Sequence, residues 1–234
     1  LEHCEQILED YKRLEYEMHL LHNEYTGGLK LGASTTVAQY VLPPLLASFI
    51  GKFPHVNLSL LNGNSREIEA ALQEHRIDLG FVEGVFRLPN IKYTTFLKDE
   101  LVAVVRTGSK LAIGEEITPE ELLHLPLVLR ERGSGTLDVF ERALQQHNIK
   151  LSSLQVLMYL GSTESIKLFL EHTDCLGIVS IRSITRELYS GQLRVVEIKD
   201  MPMLRDFSFA QPQGQESGLA QVFMQFAMHY NNKL

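Results

Sequence analysis

Hydrophobic and polar positions along the chain form a repeating series of short strands and amphipathic helices. Leu29 and Leu31 alternate with small or polar neighbours, as in a strand, and a helical pattern begins at Val37. The same pattern predicts a helix to about residue 53, a strand over 56–61, a helix over 65–76 and a strand over 78–83. Because the links are short, this βαβαβ order predicts a parallel sheet with right-handed crossovers.

A second α/β unit is predicted over about residues 101–199. Two strands, 91–97 and 101–106, lead into it, and strands 127–130, 154–160 and 177–180 then alternate with helices. One of these helices is expected to begin at Thr118, with Pro119 at its first position and Glu121 placed to close a capping box. A strand over 207–210 and a helix over 218–230 remain, and we expect them to return to the first unit. The predicted division is lobe I at 27–99 and 203–234, and lobe II at 100–202.

The first 26 residues carry a heptad pattern. Apolar residues stand at positions 4, 7, 11, 14, 18, 21 and 25, in alternating steps of three and four, with charged residues on the other faces. A stripe this narrow is typical of a coiled-coil seam rather than of a helix buried in its own domain. Residues 1–26 are therefore predicted to form a long linker or dimerisation helix, which ends at the glycines Gly27 and Gly28.

Charge and composition exclude several classes of function. The chain has 234 residues and a formal net charge of -7, without the basic stripe that phosphate neutralisation needs, so any DNA contact must lie outside these residues. No apolar run approaches the ~18 residues of a membrane span, and no signal-peptide pattern opens the chain. Cys4 and Cys175 lie far apart in sequence, which favours a reducing compartment. We expect a cytoplasmic protein without a membrane partner.

Polar residues stand where the predicted strands end and the helices begin. In open parallel sheets, ligands bind beyond the carboxyl ends of the strands, so a cleft between two lobes would collect these corners. Small residues at these corners let backbone N–H groups approach an anion, and hydroxyls there can donate hydrogen bonds to it. Taken singly, each corner is equally explained as an ordinary helix cap. The candidate effector-binding residues are Ser34, Thr35, Thr36, Gly63, Asn64, Glu83, Arg130, Ser134, Gly135, Thr136, Ser162 and Thr163.

The charged residues at these corners leave two interpretations open. Arg130 or Arg132 can bind a carboxylate or a sulfur oxyanion through two parallel hydrogen bonds. Alternatively, Glu131 or Glu83 neutralises these arginines in a structural ion pair. Glu83 is also a candidate partner for the amino group of an effector.

No catalytic or metal-binding motif is present. The segment Gly133-Ser134-Gly135 does not fit GxSxG, and the Walker and HExxH motifs are absent. Neither cysteine stands beside a base in the sequence, and His19 and His22, one helical turn apart, are interpreted as solvated surface rather than as a metal site. We therefore expect neither enzymatic activity nor a cofactor nor a bound metal.

Several segments together resemble one known family. They are GGLKLGASTTVAQYVLPPLLASFIGKFP, REIEAALQEHRIDLGFVEG, ELVAVVRTGSKLA, PLVLRERGSGT and GSTESIKLFLEHTDCLGIVS, preceded by the heptad helix. In this order they are similar to the C-terminal part of LysR-type transcriptional regulators, from the linker helix through the effector-binding domain. The N-terminal winged helix-turn-helix head, with which that family binds DNA, has no counterpart in this sequence.

The resemblance implies a fold and a mode of action. The fold is α/β, with two Rossmann-like lobes as in type 2 periplasmic binding proteins, and a small effector or inorganic anion lies in the cleft between them. Ser34 and Thr36 match polar positions that contact effector in relatives, and Thr163 matches a hydroxyl of the second lobe. Glu83 departs from the family, because some relatives carry a hydroxyl at this position. The resemblance further implies a homodimer or homotetramer that binds DNA only through the absent head.

Two other classes of protein share such a scaffold. A solute-binding protein of a transport system would be exported and monomeric, and both the heptad helix and the missing signal peptide count against it. An enzyme built on the same two lobes would turn over its bound metabolite. The absence of a catalytic motif makes this class the weaker alternative.

Overall fold

The computed structural model describes residues 25–84, 87–111, 114, 116–214 and 218–231. Nearly all of the heptad segment precedes the first of these ranges. The predicted linker helix, with its coiled-coil seam, therefore lies outside the described residues apart from its last two positions.

The strands alternate with helices through most of the chain. The strands are β1 Gly27–Ser34, β2 Val56–Gly63, β3 Leu79–Glu83, β4 Ile91–Arg106, β5 Glu116–Ile117, β6 Pro126–Arg130, β7 Gln155–Leu160, β8 Leu176–Ser180, β9 Leu193–Ile198 and β10 Met203–Pro212. The α-helices are α1 Thr35–Tyr40, α2 Leu42–Lys52, α3 Ser65–Gln73, α4 Gly135–Gln146, α5 Thr163–His172, α6 Thr185–Ser190 and α7 Gly218–Asn231. Short 3-10 helices span Glu120–His124, Leu151–Ser153 and Ile181–Ser183.

The main sheet has the strand order β2-β1-β3-β10-β4-β8-β6-β7. Strand β1 runs parallel to β2 and β3, as the βαβαβ pattern predicted, and β6 runs parallel to β7 and β8. Between these parallel groups, the long strands β4 and β10 pair antiparallel with each other. Strand β9 pairs with β4 and with the two-residue strand β5.

The hydrophobic core falls into groups on either side of the β4–β10 pair. One cluster contains Phe49, Phe81 and Phe223, whose rings lie 4.8 to 6.0 Å apart where they meet, and further buried residues of β1, α2 and β10. Another is built around Phe140 on α4 and includes residues of β6, β8 and β9. We use the terms first lobe and second lobe for the elements around these two cores.

The prediction of two strands at 91–97 and 101–106 was wrong, because β4 continues from Ile91 to Arg106. The polar run Lys98, Asp99 and Glu100 indicated a break between strands. In the folded chain the Asp99 side chain is buried, and β10 supplies its partner Arg205, so the strand continues through the charged residues.

The predicted helix ending near residue 53 is interrupted at Val41. Pro43 and Pro44 lie in the first turn of the second helix, where their missing N–H groups need no partner. Inside one continuous helix, the same two residues would leave backbone carbonyls unsatisfied. The expected box at Thr118 is present, since Glu121 N donates to Thr118 Oγ1 at 3.4 Å and Glu121 Oε2 accepts from Thr118 N at 2.7 Å. The turn that follows is a 3-10 helix of five residues rather than an α-helix.

Candidate functional site

The polar corners of the two lobes lie against each other. Strands β1, β2 and β3 end at Ser34, Gly63 and Glu83 in the first lobe, and β6 ends at Arg130 in the second. Hydrogen bonds cross from one lobe to the other, including one of 3.4 Å from Arg130 Nη2 to Thr35 Oγ1. The carboxyl ends of the parallel strands therefore line one cleft, which is the place that parallel-sheet geometry predicts for a ligand.

Glu83 is the centre of this cleft, and it is 5% exposed. Its Oε1 atom accepts hydrogen bonds from Thr36 Oγ1 at 3.2 Å and from Thr136 Oγ1 at 3.5 Å, one from each lobe. Arg205 Nη1 lies 3.2 Å from the same oxygen and donates to Thr136 Oγ1 at 3.0 Å. Ser65 Oγ accepts from the backbone N of Glu83 at 3.2 Å and donates to its carbonyl oxygen at 2.8 Å.

Arg205 connects this centre to the strands that join the lobes. Its Nε donates to Asp99 Oδ2 at 2.7 Å, so the ion pair spans β10 and β4. Ser180 Oγ donates to the other carboxylate oxygen of Asp99 at 2.7 Å, and the Arg205 and Asp99 side chains are at most 1% exposed. A buried charge needs such partners because removal from water is costly.

Sequence reasoning missed Arg205 and Asp99, although a signal was present. Arg205 stands midway between the buried residues Met203 and Phe207, and alternate residues of a strand share a face. Asp99 is likewise two residues before the buried Leu101 on β4, and so lies on the same face of that strand. A charged residue on the apolar face of a strand indicates a buried ion pair, but the identity of its partner depends on the fold.

Arg130 pairs with its neighbour Glu131 and not with Glu83. The guanidinium donates through Nε and Nη2 to the two carboxylate oxygens of Glu131, at 2.8 and 3.0 Å. Nη2 also lies 3.3 Å from the Gly161 carbonyl oxygen. Of the two arginines at this corner, Arg130 is 2% exposed and Arg132 is exposed, so only Arg130 lies within the cleft.

Three of the corner residues act as helix caps. Asn64 Oδ1 accepts from Glu67 N at 3.0 Å while Glu67 Oε2 accepts from Asn64 N at 2.7 Å, which forms a complete capping box. Ser134 caps α4 by accepting from Thr136 N at 3.2 Å, and Ser162 caps α5 by accepting from Ser165 N at 3.1 Å. Effector contact by these three side chains stays a prediction.

The remaining corner residues are placed differently. Ser34 occupies the N-cap position of α1 but makes no capping hydrogen bond with its side chain. Thr35 Oγ1 donates to the Gly63 carbonyl oxygen at 3.2 Å, which holds the ends of β1 and β2 together. Thr163 is buried at the start of α5. For these residues, too, contact with an effector stays a prediction.

The lobes touch at the start of α4. A Cβ atom on Gly135 would lie 2.3 Å from the Glu83 carbonyl oxygen, so only glycine permits this approach. Next to it, Arg66 N donates to the Gly133 carbonyl oxygen at 3.4 Å. The backbone of the second lobe therefore closes directly onto β3 and α3 of the first.

Four buried polar atoms in the cleft have no hydrogen-bond partner among the described residues. They are Ser34 Oγ, Glu83 Oε2, Arg130 Nη1 and Arg205 Nη2. An unpaired buried polar group costs about 1–3 kcal/mol, and more when it is charged. A ligand that supplied acceptors to the two guanidinium groups and a donor to the carboxylate would satisfy them.

A neighbouring cavity of about 650 Å³ also lies between the lobes, where Tyr40 of α1 faces Glu164 and Lys167 of α5. Tyr40 donates a hydrogen bond to Glu164, and burial together with this bond raises the pKa of the phenol. Burial acts to raise the pKa of Glu164, but hydrogen bonds from Lys167 and Tyr40 outweigh it and lower the pKa. Lys167 donates to the Ser183 carbonyl oxygen at 3.0 Å and to Glu187 at 2.8 Å.

The part of the chain that the structure describes shows neither a metal site nor a membrane-spanning helix. Within those ranges, no three or more His, Cys, Asp or Glu side chains are grouped so that they could hold a metal ion. In the same ranges, no helix has the length and apolarity to cross a membrane. Cys175 is buried, and burial raises the pKa of its thiol to about 11, so it is protonated at neutral pH.

Comparison with known proteins places this architecture among regulators. A family model described as the LysR substrate binding domain matches residues 22–231. The Escherichia coli K12 protein YeiE, described as an uncharacterized HTH-type transcriptional regulator, is 34% identical over 182 residues, which are 78% of this chain and 61% of YeiE. The Bacillus subtilis regulator CysL is 26% identical over 199 residues, 85% of this chain and 66% of CysL. The chain thus spans about two thirds or less of these relatives.

Solved structures share the fold. The regulatory domain of CcmR from Synechocystis PCC6803, in complex with 2-PG (2-phosphoglycolate), matches with a TM-score of 0.80 and 27% identity, covering 89% of this chain and 99% of that one. The effector-binding domain of QuiR, in complex with shikimate, matches with a TM-score of 0.78 at 20% identity, covering 89% of this chain and 99% of that one. These similarities confirm the predicted two-lobed α/β fold.

Proposed function

The chain belongs to the LysR substrate-binding domain family, and from this premise we propose that its cleft senses a small polar metabolite or oxyanion. The observation that carries the proposal is the set of four unpartnered buried atoms on Ser34, Glu83, Arg130 and Arg205. Two of the four are guanidinium nitrogens, which favour carboxylate, phosphate or sulfur oxyanion groups. The complex of the CcmR regulatory domain with 2-PG supports an anionic effector for this chain.

We propose that lobe I comprises residues 27–99 and 203–234 and that lobe II comprises residues 100–202. The two cores support this division on both connecting strands, except that Met203, the first residue assigned to lobe I on β10, packs in the second core. Along β4, Phe96 belongs to the first core and Leu101 to the second, while along β10 Met203 belongs to the second and Phe207 to the first. The chain therefore passes from the first lobe to the second between residues 96 and 101, and it returns to the first lobe between residues 203 and 207.

The proposed mechanism is a population shift between open and closed arrangements of the lobes. Thr36 of the first lobe and Thr136 of the second both contact Glu83, so a ligand bound beside Glu83 contacts groups from both lobes. Such a ligand binds the closed arrangement more tightly, and this difference in affinity drives the shift. The closed lobes then change how the chains assemble on DNA.

Assembly and location follow from the same family membership. We propose a homodimer or homotetramer, supported by the apolar residues Leu60, Leu61, Leu157, Met158 and Tyr159 that the edge strands β2 and β7 expose. DNA is bound through a segment outside this chain, and the protein acts in the cytoplasm, where the DNA is. The regulators among its relatives support a sensor rather than an enzyme.

Isothermal titration calorimetry tests the anion site with 2-PG, inorganic phosphate, sulfate and acetate as probes. For the probe that binds, we expect Arg130→Gln to weaken affinity by at least tenfold, because it removes a charge-assisted hydrogen bond worth about 1.5–3 kcal/mol. Arg132→Gln is the matched control, since Arg132 stands two residues away and is exposed. Equal affinities of the wild type and both variants would contradict the proposal. Thermal unfolding shows whether each variant is folded.

A further inference from the structure

The side chain of Glu131 occupies the edge of Arg130 that best fits an anion. Arg130 Nε donates to Glu131 Oε2 at 2.8 Å, and Nη2 donates to Glu131 Oε1 at 3.0 Å. With two such hydrogen bonds, a guanidinium also recognises the carboxylate, phosphate or sulfur oxyanion group of a ligand. In the described arrangement, a group of the chain itself therefore fills the position that a ligand's anion would take.

The two members of this ion pair differ in their access to water. The Arg130 side chain is 1% exposed, and the Glu131 side chain is 27% exposed. Backbone bonds hold Glu131 separately, because its N–H donates to the Leu160 carbonyl oxygen at 3.2 Å and its carbonyl oxygen accepts from Ser134 N at 3.2 Å. Rotation of its side chain can therefore carry the Glu131 carboxylate into water without breaking these bonds, while the guanidinium stays buried.

The buried charges of the cleft show what must replace Glu131 if it turns away. Arg205 has two buried carboxylates beside it, those of Glu83 at 3.2 Å and Asp99 at 2.7 Å. Arg130 forms its ion pair with Glu131. A buried cation without a counter-charge is costly, so the departure of Glu131 requires another anion at Arg130. The anionic group of an effector meets this requirement.

The other contacts of Arg130 allow such an exchange. Nη2 also donates to Thr35 Oγ1 of the first lobe at 3.4 Å and to the Gly161 carbonyl oxygen at 3.3 Å, so these bonds keep the guanidinium in place when Glu131 moves. Nη1 is buried and has no hydrogen-bond partner among the described residues. An incoming anion can therefore bind Nη1 and then take over the bonds that Glu131 releases.

We propose that Glu131 is an internal competitor of the effector, whose anionic group displaces the Glu131 carboxylate from Arg130. The proposal rests on the proposed function, because it requires the anion site at Arg130. Binding of the effector breaks the pair between Arg130 and Glu131, and this loss lowers the net affinity. Glu131 thereby sets the effector concentration to which the protein responds.

Calorimetry on the full chain tests the competition with 2-PG, inorganic phosphate, sulfate and acetate as probes. We expect Glu131→Gln to bind at least one probe roughly tenfold more tightly than the wild type, because a neutral amide competes more weakly for a guanidinium. This gain should disappear when Glu131→Gln is combined with Arg130→Gln. Glu141→Gln is the matched control, since it removes the same charge from α4 of the same lobe. Its affinity should stay within about twofold of the wild type, because salt screens charges outside the site.

A purely structural role for Glu131 predicts a change of the opposite sign. If Glu131 only positions Arg130, Glu131→Gln weakens binding or leaves it unchanged, and either result overturns the proposal. Thermal unfolding provides a second measurement if the variant is less stable. At one probe concentration, the unfolding temperature of Glu131→Gln should rise more than that of the wild type, because a tighter ligand stabilises the folded state more.

The outcomes separate this proposal from the proposed function. If Arg130→Gln weakens binding and Glu131→Gln does not strengthen it, the anion site stands and the competition is refuted. The competition is also refuted if the gain persists in the double variant, or if none of the four probes binds Glu131→Gln. If Arg130→Gln binds the probes as the wild type does, the anion site itself is contradicted, and the competition with it.

Discussion

The sequence pattern identifies some residues of the cleft and leaves others unassigned. The hydroxyls, the small residues and Arg130 of the cleft could be recognised because they follow strands that end at the same edge of a sheet. Arg205 could not be assigned to the cleft, because its contact with Glu83 requires β10 to lie next to β3. From the sequence, either Glu83 or Glu131 could neutralise Arg130, and the structure shows that Arg130 pairs with Glu131.

The buried pair of Asp99 and Arg205 leads to the first expectation for stability. Removing one partner leaves the other charge buried and unpaired, at a cost of about 3–5 kcal/mol. We therefore expect Asp99→Asn to lower the free energy of unfolding by an amount of this order in urea titrations. Glu100→Gln changes the exposed neighbour on the same strand and should have little effect.

A double-mutant cycle separates the pair from its surroundings. Because Arg205→Met removes the charge that Asp99 neutralises, the effects of Asp99→Asn and Arg205→Met should not add. Additive losses of unfolding free energy would mean that the 2.7 Å ion pair contributes nothing beyond the separate side chains.

At the level of elements, local signals determined most of the helix starts. The pair Thr118 with Glu121 was recognised from spacing alone and forms reciprocal hydrogen bonds, and Asn64 with Glu67 has the same spacing and the same pattern of bonds. The length of strand β4 was misjudged, because charged residues interrupt the apolar pattern only until their partners on β10 are known. Strand β9 was not assigned either, and it pairs antiparallel with residues 103–106 of β4, next to the residues 91–101 that pair with β10.

The capping box of α3 can be tested by substitution. Asn64→Ala removes the acceptor for the Glu67 N–H group, and loss of an N-cap costs about 1 kcal/mol. Asn62→Ala, two residues earlier and exposed on β2, is the control. Chemical denaturation should show a loss only for Asn64→Ala.

The same variant addresses the two interpretations of Asn64. If this residue is a cap and nothing more, affinity for the anion probe should equal that of the wild type once the protein is folded. A tenfold weaker affinity at unchanged secondary structure would instead place Asn64 among the effector contacts.

At the scale of the whole molecule, the described arrangement has its lobes in direct contact. The contact depends on Gly135, where a Cβ atom would collide with the Glu83 carbonyl oxygen at 2.3 Å and with Glu83 Cγ at 2.5 Å. The space between the lobes is therefore set by backbone atoms, which cannot move aside as a side chain can.

Gly135→Ala should separate the lobes. We expect a larger radius of gyration in small-angle X-ray scattering and a loss of about 1–3 kcal/mol of stability from the forced repacking. Gly161→Ala is the matched control, since a Cβ atom there meets nothing within 4 Å and the backbone acceptor for Arg130 is kept. An unchanged radius for Gly135→Ala would show that the contact yields locally instead of opening the cleft.

The sequence by itself determined most of the helices and strands, the βαβ order of the first unit and the polar corners, because each depends on residues within a few positions of one another. Only the tertiary structure decided which corners meet and which charges neutralise each other. Asp99 and Arg205 are 106 residues apart, and Thr36 and Glu83 are 47 apart. Such contacts follow from strand order and register, which are set by the packing of the whole core rather than by any local stretch.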